Sequence, residues 1–173
     1  MASVTVRKAA GIGLTDAAAL LFIYLVPTLS HLTAVPFYLI DPMRIAVLGA
    51  LLATRNWKNA LVLAVTLPLF SSAVGMHPVF PKCLLIAVEL SVNVLLFVWL
   101  ARVFGKGAKG RGMHIGAAAF VSIVLSKVLY YALKALVLYA GLLQMELVST
   151  GLWIQLALAV IISIAFAIVW QRR

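Results

Sequence analysis

The sequence predicts an all-helical integral membrane protein, a single domain over residues 1–173 that crosses the bilayer six times. Two observations carry that prediction. The first is composition: 65% of the residues are hydrophobic, only 10% are charged, and mean hydropathy is +1.17. A soluble domain carries about 25% charged residues, and no soluble fold of this size hides so much apolar side chain. The second is the placement of charge. Lys and Arg number 14 against 4 acids, and ten of the 14 form four clusters between apolar runs. These are Arg7 and Lys8; Arg55 and Lys58; Arg102, Lys106, Lys109 and Arg111; and Arg172 and Arg173. Every second gap between apolar runs is basic, which is the bias of cytoplasmic loops. Both termini are therefore expected in the cytoplasm.

The six spans follow in order. A helix needs about 20 apolar residues to cross the hydrocarbon. The first span is predicted from Ala10 to Leu32. The second begins near Asp41 and Pro42, an N-cap followed by a proline at the first helical position, and ends near Thr54. That is short for a full crossing, so Val35 to Ile40 is expected to be an outer loop that dips into the membrane, where irregular backbone survives only against protein or a wet cavity. The third span runs from Asn59 to Val74, with a kink expected at Pro68. Gly75 to Lys82, carrying Pro78 and Pro81, is an outer loop. The fourth span runs from Cys83 to Val103 and leads into a flexible basic loop, Gly105 to Gly112. The fifth, Met113 to Leu143, is long enough to tilt or project outward. The sixth runs from Val148 to Trp170. There is no internal repeat.

Several functional classes fall away. The net charge of +10 does not argue for nucleic acid, because it sits in short loops where membrane orientation accounts for it. The first apolar run lacks a small-residue cleavage site and is read as a retained helix. The single Cys83 excludes an intramolecular disulfide, a Cys-based zinc site and an iron–sulfur site, and is read as a small buried hydrophobe. His31 and His77 lie toward the outer surface and His114 toward the inner one, so no metal site is expected. Gly105 to Gly110 has no preceding strand and no Ser or Thr after its Lys, and is no phosphate cradle. No paired acids and no nucleophile–base set are visible, so the chain is not read as an enzyme, and no cofactor is implied.

Function is then expected in the few polar groups inside apolar spans, because burying them is costly. Glu89 and Asn93 sit four apart and share a face of the fourth span. Lys127, Tyr130, Tyr131 and Lys134 form a stripe on the fifth. Arg44 lies one turn into the second, and Trp153 and Gln155 lie near the outer end of the sixth. At 1.5 Å per residue, Glu89 comes out about 10 Å below the outer face and Lys127 about 9 Å below it. Arg44, Trp153 and Gln155 fall in the same outer third. The expectation is a pocket open to the outside. Duller readings stand beside it: Glu89 and Lys127 as a structural ion pair, Lys134 snorkelling to the interface, and Tyr130, Tyr131, Tyr139 and Trp153 as interface aromatics. On the first span, Ala9, Gly13 and Ala17 form a small-residue face that lets another helix approach closely, within the chain or outside it. Asp16 beside that face needs a partner or water.

These features resemble the S component, the substrate-binding membrane subunit, of an energy-coupling factor (ECF) vitamin transporter. The stretch from Ile40 to Leu52 (IDPMRIAVLGALL) resembles the place where such proteins leave the first outer loop and enter a short second helix. Ser126 to Tyr131 is similar to their fifth helix, and the Ala9, Gly13 and Ala17 face resembles the surface offered to the coupling subunit. One departure is that Thr54 to Lys58 (TRNWK) stands where many members carry a Gly-Pro pair. The resemblance implies an S-component-like bundle with a re-entrant first outer loop, in the cytoplasmic membrane of a bacterium or archaeon. It implies a small water-soluble nutrient, a vitamin or precursor, held near the outer face, with a transmembrane coupling subunit and two cytoplasmic ATPases as partners. Lys127 is then expected to supply a cation for the ligand, Glu89 and Asn93 hydrogen bonds, and Tyr131 and Trp153 a stacking surface. Gln155 completes the site, and Arg44 with the loop Phe37 to Asp41 forms a lid. The rival expectation is a membrane scaffold resembling the rod-shape protein MreD.

Overall fold

The computed structural model describes residues 2–33, 37–75, 78–105, 111–142 and 151–172. Six α-helices account for nearly all of them: α1 (Ala2–Thr33), α2 (Pro42–Thr54), α3 (Trp57–Gly75), α4 (Phe80–Gly105), α5 (Arg111–Tyr139) and α6 (Leu152–Gln171), with a 3₁₀ turn at Phe37–Ile40 before α2. No strand occurs among the described residues. Five of the helices are long and apolar enough to cross a membrane; α2 is not. The molecule is thus a multi-pass, all-helical membrane protein. Its 13-residue α2 spans about 20 Å, well short of a 30 Å hydrocarbon core.

A helix is present at each of the six expected segments, with shifted ends. α1, α3 and α4 start before the apolar runs do, because polar and proline residues serve well in first turns. Asn56 caps α3: its Oδ1 accepts from the backbone N–H of Lys58 at 3.1 Å and of Asn59 at 3.4 Å. α3 continues as one helix through Pro68, and α1 through Pro27. The expected basic loop at 106–110, the expected outer-loop residues 34–36 and 76–77, and the stretch 143–150 lie outside the described residues, as does the side chain of His31.

The short helix is the hub. α2 packs against α1, α3, α4 and α6. Arg44, Val47, Leu48 and Leu51, spaced at 3, 4 and 7, are all buried, while Gly49 faces out. Around α2 the core is built from Leu63 and Leu67 of α3, Leu90, Val94 and Phe97 of α4, Ala118 and Ile123 of α5, and Phe166 of α6. Gly116 of α5 lets α6 come close. A Cβ there would stand 3.2 Å from that of Ala167.

Both ends of α2 are made by residues in the left-handed region. Asp41 has φ 54° at the N-terminal end and Arg55 φ 53° at the C-terminal end. The Arg55 N–H returns to the Leu51 carbonyl at 2.9 Å, while its side chain reaches across to α6. There the guanidinium lies 3.3 Å from the centre of the Trp170 ring, and Nη2 donates to the Trp170 carbonyl at 2.9 Å. That carbonyl is one of the last on α6, where a cation is favoured. Phe97, Phe166 and Trp170 form an aromatic group beside this latch.

α1 is held at one level by Asp16, whose Oδ1 accepts from Asn59 Nδ2 at 2.7 Å. This is the partner its position requires. Asn59 lies in the first turn of α3, so residues 2–15, about 21 Å of helix, run on past the α2–α3 turn. Ala9, Gly13 and Ala17 all lie exposed, with nothing within 4 Å of where a Gly13 Cβ would stand. That face is not used for packing within the described chain.

Candidate functional site

Three elements bring four charges together where α2 begins. Arg44, one turn into α2, pairs with Glu89 of α4 through Nη2 and Oε1. Its Nε lies 3.0 Å from Asp41 Oδ2, an ion contact without hydrogen-bond geometry. Lys127 of α5 reaches both acids, with Nζ 3.0 Å from Glu89 Oε1 and 3.3 Å from Asp41 Oδ2. Arg44 and Glu89 are buried, whereas Lys127 and Asp41 are each 26% exposed.

Helix registers explain the meeting. Arg44 is eleven residues, about 16 Å, from the Arg55 end of α2, and Glu89 is nine residues, about 14 Å, from the start of α4. The cluster thus stands well inside the bundle, away from the Arg55 end of α2 and from the start of α4. Among the described residues, the 3₁₀ turn, packed on α1 and α2, precedes α2 at its Asp41 end.

Asp41 was expected as a helix cap at the end of the lid loop, and its ion contacts are what the sequence pattern did not give. Asp followed by Pro reads as a helix cap, yet Asp41 makes no side-chain capping bond. Its carboxylate is drawn into the ion network instead, because two cations lie within reach. The i,i+3 spacing to Arg44 was the available signal.

The other expected residues divide. Asn93, one turn from Glu89 and fully buried, donates to Ser122 Oγ at 3.1 Å, and Ser122 donates in turn to the Ala119 carbonyl at 2.8 Å. Tyr131 and Gln155 are brought together, Gln155 Nε2 donating to the Tyr131 hydroxyl. Their pair connects to the cluster through Tyr130, whose ring meets Tyr131 edge-on and lies 5.5 Å from Lys127 Nζ. Trp153 is not brought in: it is 83% exposed on the outside of α6. An aromatic at a helix end surrounded by lipid-facing Leu152, Ile154 and Leu156 has no reason to turn inward. Lys134 is fully buried, not snorkelling at an interface, and Tyr130 is buried rather than a belt residue, whereas Tyr139 is fully exposed.

Among the described residues no three His, Cys, Asp or Glu side chains gather to hold a metal. Cys83 is buried. A shallow apolar groove between α1 and α2, floored by Ala19, Ala46 and Ala50, carries no charged side chain. Comparison with family models, curated proteins and solved structures returns no match. The chemistry the cluster offers is that of two acids and two bases held together and able to bind charge.

Proposed function

We propose that the chain is the substrate-binding membrane subunit of an ECF-type importer, in the cytoplasmic membrane of a bacterium or archaeon with both ends inside. It captures a small water-soluble nutrient, a vitamin or precursor, from the outside. One observation carries the proposal: Asp41, Arg44, Glu89 and Lys127 converge at the point where a helix too short to cross the hydrocarbon begins. A protein that only needs to span lipid has no use for four charges there, since polar groups at such depth are costly and mark solute pathways. The tyrosine pair and Gln155 extend the same surface with aromatic and hydrogen-bonding groups. Ala9, Gly13 and Ala17 supply the docking face for the coupling subunit, exposed and not covered by the chain's own helices. Uptake is driven by two cytoplasmic ATPases on that coupling subunit.

The scaffold reading draws on one specific feature, the mutual neutralisation of the four charges, which ties α2, α4 and α5 without any solute. Gentle purification from the native host separates the two. Co-purifying ATPases and a small-molecule adduct in native mass spectra are the outcome expected for the importer subunit. Cell-wall synthesis proteins without an adduct would establish the scaffold.

A further inference from the structure

The charge network is uneven, and the unevenness bears on the kind of solute it takes. Arg44 and Glu89 are sealed, with side chains 1% and 4% exposed, while Asp41 and Lys127 form an open edge at 26% each. All four ion contacts end on one oxygen of each acid, Asp41 Oδ2 and Glu89 Oε1. On the cationic side, Arg44 Nη1 is buried and has no acceptor among the described residues. Two acids and two bases leave the cluster neutral. A solute with net charge would add an unmatched charge beside the sealed Arg44 and Glu89, which is unfavourable. A solute carrying one anionic and one cationic group adds none. Its carboxylate takes Lys127 and supplies an acceptor for Arg44, and its cation replaces Lys127 on Asp41.

We propose that the site accepts a zwitterion, inserted by its carboxylate and protonated nitrogen at the Asp41–Lys127 contact while Arg44 and Glu89 stay paired. This inference rests on the chain being a solute-binding subunit and narrows its solute. Lys127 and Asp41 are the exchangeable members, and Arg44 with Glu89 forms the fixed floor.

Thermal unfolding of the full chain in lipid nanodiscs tests it with three probes that share a three-carbon skeleton: β-alanine, propionate and propylammonium. β-Alanine at saturation raises the melting temperature by about 3 °C, and the two singly charged probes leave it unchanged. Lys127→Met and Asp41→Asn lose the response, and Lys127→Arg, which keeps the cation, retains it. If Lys127→Met does not fold, Asp41→Asn and Lys127→Arg still decide. An equal response to propionate or propylammonium overturns the zwitterion, as does a response that survives in Asp41→Asn or an absent response to all three probes. Co-purification of the ATPases judges the importer reading independently of this result.

Discussion

Arg44 is almost completely enclosed, and its charge is met from two directions, by Asp41 one turn earlier and by Glu89 on α4. In such a place the cost of a substitution depends on what is left behind. Glu89→Gln strips Arg44 and Lys127 of their shared carboxylate and is expected to destabilise the fold by about 3–5 kcal/mol. The double change Arg44→Met with Glu89→Met removes both charges and is expected to cost less than Glu89→Gln alone. Unfolding in a graded mild-to-harsh detergent series measures both; a double variant weaker than the single would show that the pair itself is a strong net stabiliser. Asn93 behaves differently. Asn93→Ala removes one hydrogen bond, while Ser122 keeps its bond to Ala119, so a loss of about 1 kcal/mol from that bond adds to a small cavity term. Glu89, Asn93 and Lys127 were all legible in the sequence, because an ionisable or amide group inside an apolar run is conspicuous. Asp41 was read as a helix cap at the end of the lid loop; its ion contacts with Arg44 and Lys127 were not legible, because the Asp-Pro pair already had a sufficient local explanation. Nor was Trp153, since an aromatic at a helix end looks the same whether it faces lipid or solute.

α2 shows how one residue serves two elements. Arg55 ends the helix in a left-handed conformation and also latches α6 through the Trp170 ring and carbonyl. The conformation costs about 1–2 kcal/mol for a residue with a Cβ, while the ring contact and the hydrogen bond contribute about 1 kcal/mol each. Arg55→Ala is expected to lose both contacts and keep the backbone cost. Arg55→Gly loses the contacts but relieves the backbone, so it should be the more stable of the two by about 1 kcal/mol. Equal stability of the two variants in thermal unfolding would mean that the latch, not the backbone, limits α2. The helix itself was readable from Asp41, Pro42 and the apolar run that follows. Its connection to α6 was not, since Arg55 and Trp170 are 115 positions apart and each looks like an ordinary residue at a membrane boundary.

On the scale of the whole molecule, the exposed α1 face lets the proposed docking be tested apart from folding. Gly13 has open space where its Cβ would be. Gly13→Leu is therefore expected to leave the melting temperature unchanged within about 2 °C, while reducing the amount of coupling subunit and ATPases that co-purify. Full recovery of those partners in Gly13→Leu would move the docking surface elsewhere. Orientation has its own measurement. In a Cys83→Ala background, Lys58→Cys is expected to react with a membrane-impermeant maleimide only in inverted vesicles, and Pro78→Cys only in intact cells. Lys58 lies in the first turn of α3 and Pro78 just beyond its other end.

By itself the sequence determined the class of the molecule: helical, built of apolar spans, with basic residues gathered in alternate loops. Those properties depend on composition and on spacing along one chain, and both can be read without knowing which helix neighbours which. It also marked most of the polar groups, since each stands out against its own span. Tertiary structure decided which of them meet. Asp41 was recruited from its cap to the network, Asn93 was given to Ser122, and Trp153 was left on the outside, because ion contacts of about 3 Å depend on helix rotation and register, which one-dimensional spacing does not encode.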